Sequence, residues 1–154
     1  MARADFAFHH QFRVRWSETD AQGVVFNARY LDYADVAITE YWRAVKFADQ
    51  ADGEPLDFHV KKATVTWFAP IKPDELIDVM ARTLTTGRTS MTQMVEIHGA
   101  TDDGSNDLRA TVDLVSVNVD LNTHRPVPLP DWVARTFAAF DQAAEGTVLA
   151  SIEG

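Results

Sequence analysis

The residues best suited to chemistry lie between Asp20 and Tyr30 of this 154-residue chain. Asp20 stands in a polar segment with Gly23, and Asn27 follows it by seven residues, where a long helical pattern begins. A free aspartate has a pKa near about 3.9, so it is ionised at neutral pH and can act as a nucleophile or a base. The first N–H groups of a helix lack internal acceptors, so those at Asn27 could stabilise an acyl oxygen that gains negative charge.

A purely structural interpretation fits the same residues. Asp20 can accept backbone N–H bonds in a turn, and Asn27 can cap the helix. Glu18 could pair with Asp20 as acid and base, although two carboxylates on an acidic loop are more often solvated charges. Asp32 and Asp35 share a helix face by their i, i+3 spacing, and such a face is usually solvated or part of an interface. They are the second choice only if Asp20 is not the catalytic carboxylate.

The sequence lacks the motifs of metal, cysteine, serine-hydrolase and nucleotide-binding sites. The five histidines lack metal-ligand spacing, and the absence of cysteine excludes thiolate nucleophiles, disulfides and zinc-thiolate sites. No Gly-x-Ser-x-Gly elbow, phosphate loop or dinucleotide fingerprint occurs. Because the histidines lack metal-ligand spacing and the chain has no cysteine, we expect no metal site.

The hydrophobic pattern predicts the elements that position these residues. Alternation predicts a strand over 10–16, and apolar residues at helical spacing predict one long helix from Ala28 to about Lys46. Runs rich in Val, Thr, Ile and aromatic residues predict four strands over 57–68, 76–86, 89–99 and 108–121, and an amphipathic helix is expected over 131–143. Short turn signals between the four strands favour an antiparallel meander. The order predicts an α+β domain in which five antiparallel strands cover one long helix.

Composition narrows the choice of partners and location. A net charge of −9 argues against a general nucleic-acid binder or a polybasic membrane anchor, because both partners are polyanions. No stretch of 18 uncharged apolar residues occurs. We expect one domain over residues 1–154 and a cytoplasmic protein. An open sheet has edges that proteins usually cover, which favours a homodimer or a larger assembly.

The run from Phe12 to Tyr30 carries a family resemblance. Its pattern Asp-x-x-Gly-x-Val-x-Asn-x-x-Tyr, after a strand and at the opening of a helix, resembles the hotdog-fold acyl-CoA thioesterases, specifically the 4-hydroxybenzoyl-CoA thioesterase family. The resemblance implies a hotdog fold, in which a five-stranded antiparallel sheet wraps around one long central helix, with a C-terminal helix. It also implies that Asp20 attacks the thioester carbon or activates water, that the backbone N–H of Asn27 polarises the carbonyl, and that Gly23 belongs to the catalytic loop.

The resemblance further implies where the substrate binds. The expected substrate contacts are Val25, Phe26, Tyr30, Arg88, Thr89 and Ser90. Of these, Arg88 with Thr89 or Ser90 would hold the pantetheine and phosphates of coenzyme A, and weaker candidates for the phosphates are Lys61, Lys62 and Arg125. Coenzyme A enters as part of the substrate, so no separate cofactor is expected. The family also implies a dimer with joined sheets, and commonly a tetramer.

The Asp20 to Tyr30 pattern and the family that it resembles together predict an acyl-CoA thioesterase that releases a free carboxylic acid and coenzyme A. A thiol has a pKa of about 8.5, so a thiolate departs without a strong acid, and a lone carboxylate suits thioesters better than amides or esters. One alternative is a non-catalytic acyl-CoA-binding module, and another is a dehydratase acting on β-hydroxyacyl thioesters. The dehydratase would need a histidine near the long helix, and none lies between His10 and His59. We expect Trp16, Trp67 and Phe68 in the core or an interface rather than in an acyl pocket.

Overall fold

The computed structural model describes residues 2–153, with side chains described through residue 143. Within these residues lie five strands and three α-helices, together with two short 3-10 turns near the N-terminus. The strands are β1 (Phe8–Arg13), β2 (Phe58–Trp67), β3 (Leu76–Thr86), β4 (Ser90–Gly99) and β5 (Leu108–Asn118), and the helices are α1 (Arg29–Val45), α2 (Phe47–Ala51) and α3 (Asp131–Glu153). No helix within the described range is long and apolar enough to span a membrane.

The five strands form one antiparallel sheet in the order β1-β3-β4-β5-β2. The predicted meander is correct for β3, β4 and β5. It is wrong for β2, which pairs with β5 at the far edge, because β1 occupies the free side of β3. Helix α1 follows β1 and contacts all five strands, reaching β2 through the ring pairs Tyr30–Trp67 and Trp42–Phe58, so the chain returns to the sheet at the opposite edge. A connection over residues 68–75 then leads back across the end of the sheet to β3.

Helix α1 lies on the core face of the sheet, and its span agrees with the predicted helix to within a residue at each end. Its buried residues recur at helical spacing and are Tyr30, Tyr33, Ala34, Ala37, Tyr41 and Val45. Successive strand residues point to opposite faces, so every second residue meets the helix. Val79, Val95 and Val112, from three neighbouring strands, are fully buried in this common core. The sheet therefore wraps around one long helix, as predicted.

Helix α3 completes the core and covers part of the β3 edge. Its Phe137 is fully buried and packs near Tyr41 of α1. The hydroxyl of Tyr41 donates to both carboxylate oxygens of Asp141, at 2.9 and 3.0 Å. Asp141 also accepts the backbone N–H of Thr83 at 3.0 Å, where β1 no longer covers β3. The helix continues to Glu153, beyond the predicted end at residue 143.

The first strand ends earlier than predicted. The alternation predicts residues 10–16, whereas β1 covers Phe8–Arg13. Val14 leaves the sheet and exchanges two backbone hydrogen bonds with the 68–75 connection, to Asp74 at 3.0 Å and Glu75 at 2.9 Å. Trp16 then opens a 3-10 turn and is 71% exposed, so its apparent place on the buried face is wrong.

Strand β2 is an edge strand with little cover. Eight of its ten residues are exposed, and within the described chain only β5 pairs with it. An edge with free N–H and C=O groups is a template for another strand.

Candidate active site

Asp20 lies in a tight turn between β1 and α1. Its N–H donates to the carbonyl of Val24 at 2.9 Å, and its carbonyl accepts the N–H of Gly23 at 3.0 Å. Its Oδ1 accepts the N–H of Gln22 at 2.8 Å. Gly23 adopts φ +75°, a left-handed conformation that suits glycine. The turn fixes one carboxylate oxygen, while Oδ2 makes no hydrogen bond within the described chain.

Backbone bonds fasten this turn to the rest of the fold. Thr19 and Val25 form an isolated antiparallel bridge that closes its base. The N–H of Val25 donates to the carbonyl of Ile71 in the 68–75 connection at 2.8 Å. The next N–H, from Phe26, donates to the carbonyl of Glu18 at 3.0 Å. The catalytic turn predicted from the sequence is therefore held between two other loops.

Helix α1 begins two residues after Asn27. Ala28 is the N-cap residue and makes no side-chain capping bond, so the structural interpretation of Asn27 as the N-cap is wrong. The carbonyl of Asn27 accepts the N–H of Tyr30 at 3.4 Å. The N–H of Asn27 donates to no acceptor among the described residues, so it is free to meet a ligand oxygen. This group lies at the N-terminal end of the helix, where the dipole favours negative charge.

Glu18 is buried and engaged away from the reactive turn. Its Oε1 accepts the N–H of Arg15 at 2.8 Å and the hydroxyl of Tyr33 at 3.1 Å. Its Oε2 lies 3.4 Å from the guanidinium of Arg15. Burial and the neighbouring Glu18 charge raise the pKa of Tyr33. These contacts favour a structural role for Glu18 over an acid–base pair with Asp20.

A pocket of about 270 Å³ opens beside the start of α1. It is lined by Val24, Val25, Asn27, Tyr30, Trp67, Phe68, Ala69 and Pro70. Three predicted site residues therefore share one pocket, which we name the acyl pocket after the acyl substrate that they are predicted to contact. Phe26 is half-exposed and is not part of its lining. Burial raises the pKa of Tyr30, and the backbone of Ile71 partly offsets that shift.

Two aromatic residues, Trp67 and Phe68, line this pocket, although the sequence favours a place in the core or an interface for both. Trp67 and Phe68 are 48% and 58% exposed, so they lie outside the core of the chain, and the expectation that they belong to an interface stays a prediction. The ring of Trp67 meets Tyr30 edge to face, with centroids 6.0 Å apart. Trp67 is the last residue of β2 and Phe68 follows it, two residues before the predicted turn residue Pro70. This position at a strand end was the signal that they flank a loop.

A second pocket, of about 310 Å³, holds Thr89 and Ser90 of the predicted coenzyme A contacts, together with the weaker candidate Lys61. It is lined by His59, Val60, Lys61, Thr89, Ser90, Val115, Val117, Val119 and Pro126. We call it the β2-start pocket. Arg88 adjoins it in sequence, has an exposed side chain, and its carbonyl accepts the N–H of Leu129 at 2.8 Å. Lys62 and Arg125 are exposed and do not line this pocket.

The two pockets lie at opposite ends of β2 in one chain. His59 lines one and Trp67 lines the other, eight residues apart along an extended strand. At about 3.3 Å per residue this separation is roughly 26 Å. A single chain therefore places Asn27 and Tyr30 in one pocket, holds Asp20 and Gly23 in the preceding turn outside the lining of that pocket, and leaves Arg88, Thr89 and Ser90 at the other end of β2.

The other sequence candidates lie elsewhere. Asp32 is exposed on α1 and pairs with Arg29 at 3.1 Å, and Asp35 is also exposed. His98 is buried on β4, where its Nε2 lies 2.9 Å from Glu96 and its Nδ1 accepts the N–H of Asp107. Among the described residues, α1 carries no histidine and no cluster of His, Asp and Glu could hold a metal ion. The dehydratase alternative therefore finds no support.

Comparison with protein families resolves the class. Residues 14–137 match the family model of the thioesterase-like superfamily. The chain belongs to this superfamily. The matched region begins with the chain leaving β1, contains the Asp20 turn and α1, and ends within α3. It therefore covers the elements that build both pockets.

Two relatives of this thioesterase-like protein are named as enzymes that act on acyl-CoA thioesters. It is 32% identical over 143 residues to "Acyl-CoA thioesterase YbgC" of Haemophilus influenzae, covering 86% of this chain and 96% of the relative. It is 30% identical over 131 residues to "Acyl-CoA thioester hydrolase YbgC" of Escherichia coli, covering 84% and 95%. A crystal structure of 4-hydroxybenzoyl-CoA thioesterase is similar in fold, with a TM-score of 0.73, 15% identity and coverage of 84% and 97%.

These findings confirm the predicted family, the hotdog fold and the thioester hydrolase class. The roles of individual site residues stay predictions, as does the extent of the domain over residues 1–154.

Proposed function

We propose that the protein hydrolyses acyl-CoA thioesters to a free carboxylic acid and coenzyme A, with Asp20 as the catalytic carboxylate. The observation that carries this proposal is the Asp20 turn itself. One carboxylate oxygen accepts the N–H of Gln22, and the turn is fastened through Val25 next to the start of α1. The names of the two YbgC relatives support the substrate class. The neighbouring 4-hydroxybenzoyl-CoA thioesterase was crystallised with its substrate as an aspartate-to-asparagine variant, which supports a catalytic aspartate.

Two routes from Asp20 lead to the same products. In one, Oδ2 attacks the thioester carbon, the C–S bond breaks, and its electron pair leaves with the sulfur of coenzyme A. Water then hydrolyses the mixed anhydride and restores the carboxylate. In the other, Asp20 accepts a proton from a water whose oxygen attacks the same carbon. The C–S bond then breaks with its electron pair on sulfur, and the proton passes from Asp20 to the thiolate. Either route consumes one water and needs no strong acid, because a thiolate is a good leaving group.

The N–H of Asn27 would bind the carbonyl oxygen as negative charge develops on it. It has no acceptor among the described residues and lies at the positive end of a 17-residue helix. A preorganised donor of this kind contributes most in the transition state. The acyl group would then extend over Val25 and Tyr30 into the acyl pocket, with Phe26 and Gly23 at its margin.

A second copy of the chain would complete the site. Antiparallel pairing of two β2 edges brings the start of one strand beside the end of the other. The β2-start pocket of one copy, with its Thr89, Ser90 and Lys61, then lies beside the acyl pocket of its partner. Arg88 would bind a phosphate of coenzyme A there, as a charge-assisted contact. We therefore propose a homodimer with two composite sites, which can pair further into a tetramer, in a cytoplasmic protein with no separate cofactor.

The test is hydrolysis of a panel of acyl-CoA thioesters, with release of free thiol as the readout. Asp20→Asn keeps an oxygen that can accept the Gln22 N–H but removes the nucleophile or base. We expect kcat to fall by roughly 10²- to 10⁴-fold. Asp103→Asn is the matched control, because Oδ1 of Asp103 accepts the N–H of Ser105 at 3.0 Å in an equivalent turn.

Each outcome has a defined meaning. Unchanged turnover in Asp20→Asn would show that Asp20 is not the catalytic carboxylate. The same measurement on Asp32→Asn and Asp35→Asn would then test those two residues for that role. Tight acyl-CoA binding without thiol release across short, long and aromatic acyl groups would favour the non-catalytic binding module.

A further inference from the structure

Arg109, near the start of β5, donates a hydrogen bond from each of its three side-chain nitrogens. Its Nε and Nη2 bond the carboxylate of Asp107 at 3.1 and 2.7 Å. Its Nη1 donates to the carbonyl of Pro70 at 2.8 Å and to Oε1 of Glu75 at 3.0 Å, and Nη2 lies 2.6 Å from Oε2 of Glu75. The two carboxylates raise the pKa of the guanidinium. This fork of five N–H groups is a geometry that lysine cannot reproduce.

The backbone of Arg109 holds the same connection at another point. Its carbonyl accepts the N–H groups of Phe68 and Ala69, at 2.8 and 3.2 Å. Glu75, which the side chain holds, also accepts the N–H of Lys72 at 3.1 Å. Arg109 therefore fastens the 68–75 connection at its beginning, middle and end. Three of the residues it fastens, Phe68, Ala69 and Pro70, line the acyl pocket.

One further bond links this connection to the reactive turn. The carbonyl of Ile71, next to Pro70, accepts the N–H of Val25 at 2.8 Å. Val25 lies two residues before Asn27, whose N–H is the proposed donor to the thioester carbonyl. The charges of Arg109 and Glu75 also act on the Tyr30 hydroxyl in the first turn of α1.

We infer that Arg109 is a positioning residue for thioester hydrolysis, acting through the 68–75 connection on the acyl pocket wall and on the start of α1. The inference rests on the proposed function for its kinetic consequence. Its structural consequence, a fixed Ile71 to Val25 bond, does not depend on any activity.

Arg109→Lys keeps the positive charge and loses the fork. We expect kcat to fall by about 10- to 100-fold, because small misplacements of a reacting group are costly. The inhibition constant of free coenzyme A should change little, because the partners of the Arg109 side chain, which are Asp107, Pro70 and Glu75, are not among the proposed coenzyme A contacts. A split between kcat and coenzyme A affinity is not expected from general loss of stability.

The experiment compares Arg109→Lys with Val133→Ala, which removes two methyl groups of a fully buried side chain of α3. Both are assayed below their melting temperatures for kcat, KM, coenzyme A inhibition and amide hydrogen exchange. We expect the fall in kcat and faster exchange at the Val25 amide in Arg109→Lys only. Equal losses of kcat in both variants, or wild-type kcat and exchange in Arg109→Lys, would overturn the inference.

Two further measurements keep the test decisive. If Arg109→Lys does not fold, Glu75→Gln removes one charged acceptor of the fork and should show the same changes to a smaller extent. If the wild-type protein hydrolyses no acyl-CoA, the proposed function fails. Faster exchange at Val25 in Arg109→Lys would still support positioning by Arg109, and unchanged exchange would contradict it.

Discussion

The hydroxyl of Tyr33 donates to Oε1 of Glu18 at 3.1 Å and joins the long helix to the loop that precedes Asp20. Glu18 in turn accepts the N–H of Arg15, and its own carbonyl accepts the N–H of Phe26. One buried residue therefore braces both sides of the reactive turn. This is a structural role that places Asp20 without touching it.

Removing this bond should destabilise the protein and loosen the turn. Tyr33→Phe leaves a buried carboxylate without one of its donors, which typically costs about 1–3 kcal/mol of unfolding free energy. Glu18→Gln is the matched variant, because its amide oxygen can still accept from both Tyr33 and Arg15. Denaturant unfolding should give a larger loss for Tyr33→Phe than for Glu18→Gln. Wild-type stability in Tyr33→Phe would show that the bond contributes nothing.

The three tyrosines of the chain should resist ionisation in the folded state. Burial raises the pKa of Tyr30, Tyr33 and Tyr41, and nearby carboxylates of Glu18 and Asp141 add to the shift for the last two. A raised pKa favours the neutral form in the folded protein. Its contribution to stability is therefore complete below the unfolded pKa of about 10 and is lost as pH rises above it.

An alkaline titration checks this expectation through phenolate absorbance and circular dichroism. All three tyrosines should ionise together with the loss of secondary structure. A tyrosine that ionises near its ordinary pKa while the dichroism is unchanged would contradict the assignment of that residue to the core.

Local sequence patterns predicted most of the fold. The turn signal at Gly87 correctly joined β3 to β4, and the apolar spacing located α1. The pairing of β2 with β5 could not be predicted in this way. It depends on the path of α1, which carries the chain from β1 across the sheet to the opposite edge. Trp16 shows the same limit on a smaller scale. Its place in an alternating pattern is local, whereas the point at which the chain leaves the sheet depends on the 68–75 connection.

In the candidate site too, residues that are neighbours in sequence could be predicted, and contacts between distant residues could not. The Asp20 turn and the following helix are contiguous in sequence, so the pattern alone located them. Arg109 was missed because its partners Glu75 and Pro70 lie 34 and 39 residues away. A signal did exist: an arginine between the apolar residues Leu108 and Ala110 of a strand needs partners if it is buried.

The exposed β2 edge leads to a prediction about assembly. Val60 of β2 is 60% exposed and would lie at the interface between paired edges. Val60→Asp places a charge there and should give a monomer of 17.2 kDa with little hydrolysis. Leu121→Asp is the control, because Leu121 is 61% exposed in a turn outside β2 and should keep both the assembly and the activity. Light scattering measures the mass, and an active wild-type monomer would contradict the composite site.

A substitution at Gly99 tests the Asp107–Arg109 ion pair independently of any change to Arg109 itself. A Cβ at this position would overlap Oδ2 of Asp107 and Nη2 of Arg109, so only glycine leaves room for the pair. Gly99→Ala should displace the guanidinium, lower unfolding free energy by about 1–3 kcal/mol and reduce kcat. Gly87→Ala is the stability control, since its Cβ would meet Ser90 Oγ at an ordinary 3.4 Å. Equal stability of the two variants would show that Asp107 and Arg109 can move at little cost, and the network would then be too soft to position the start of α1.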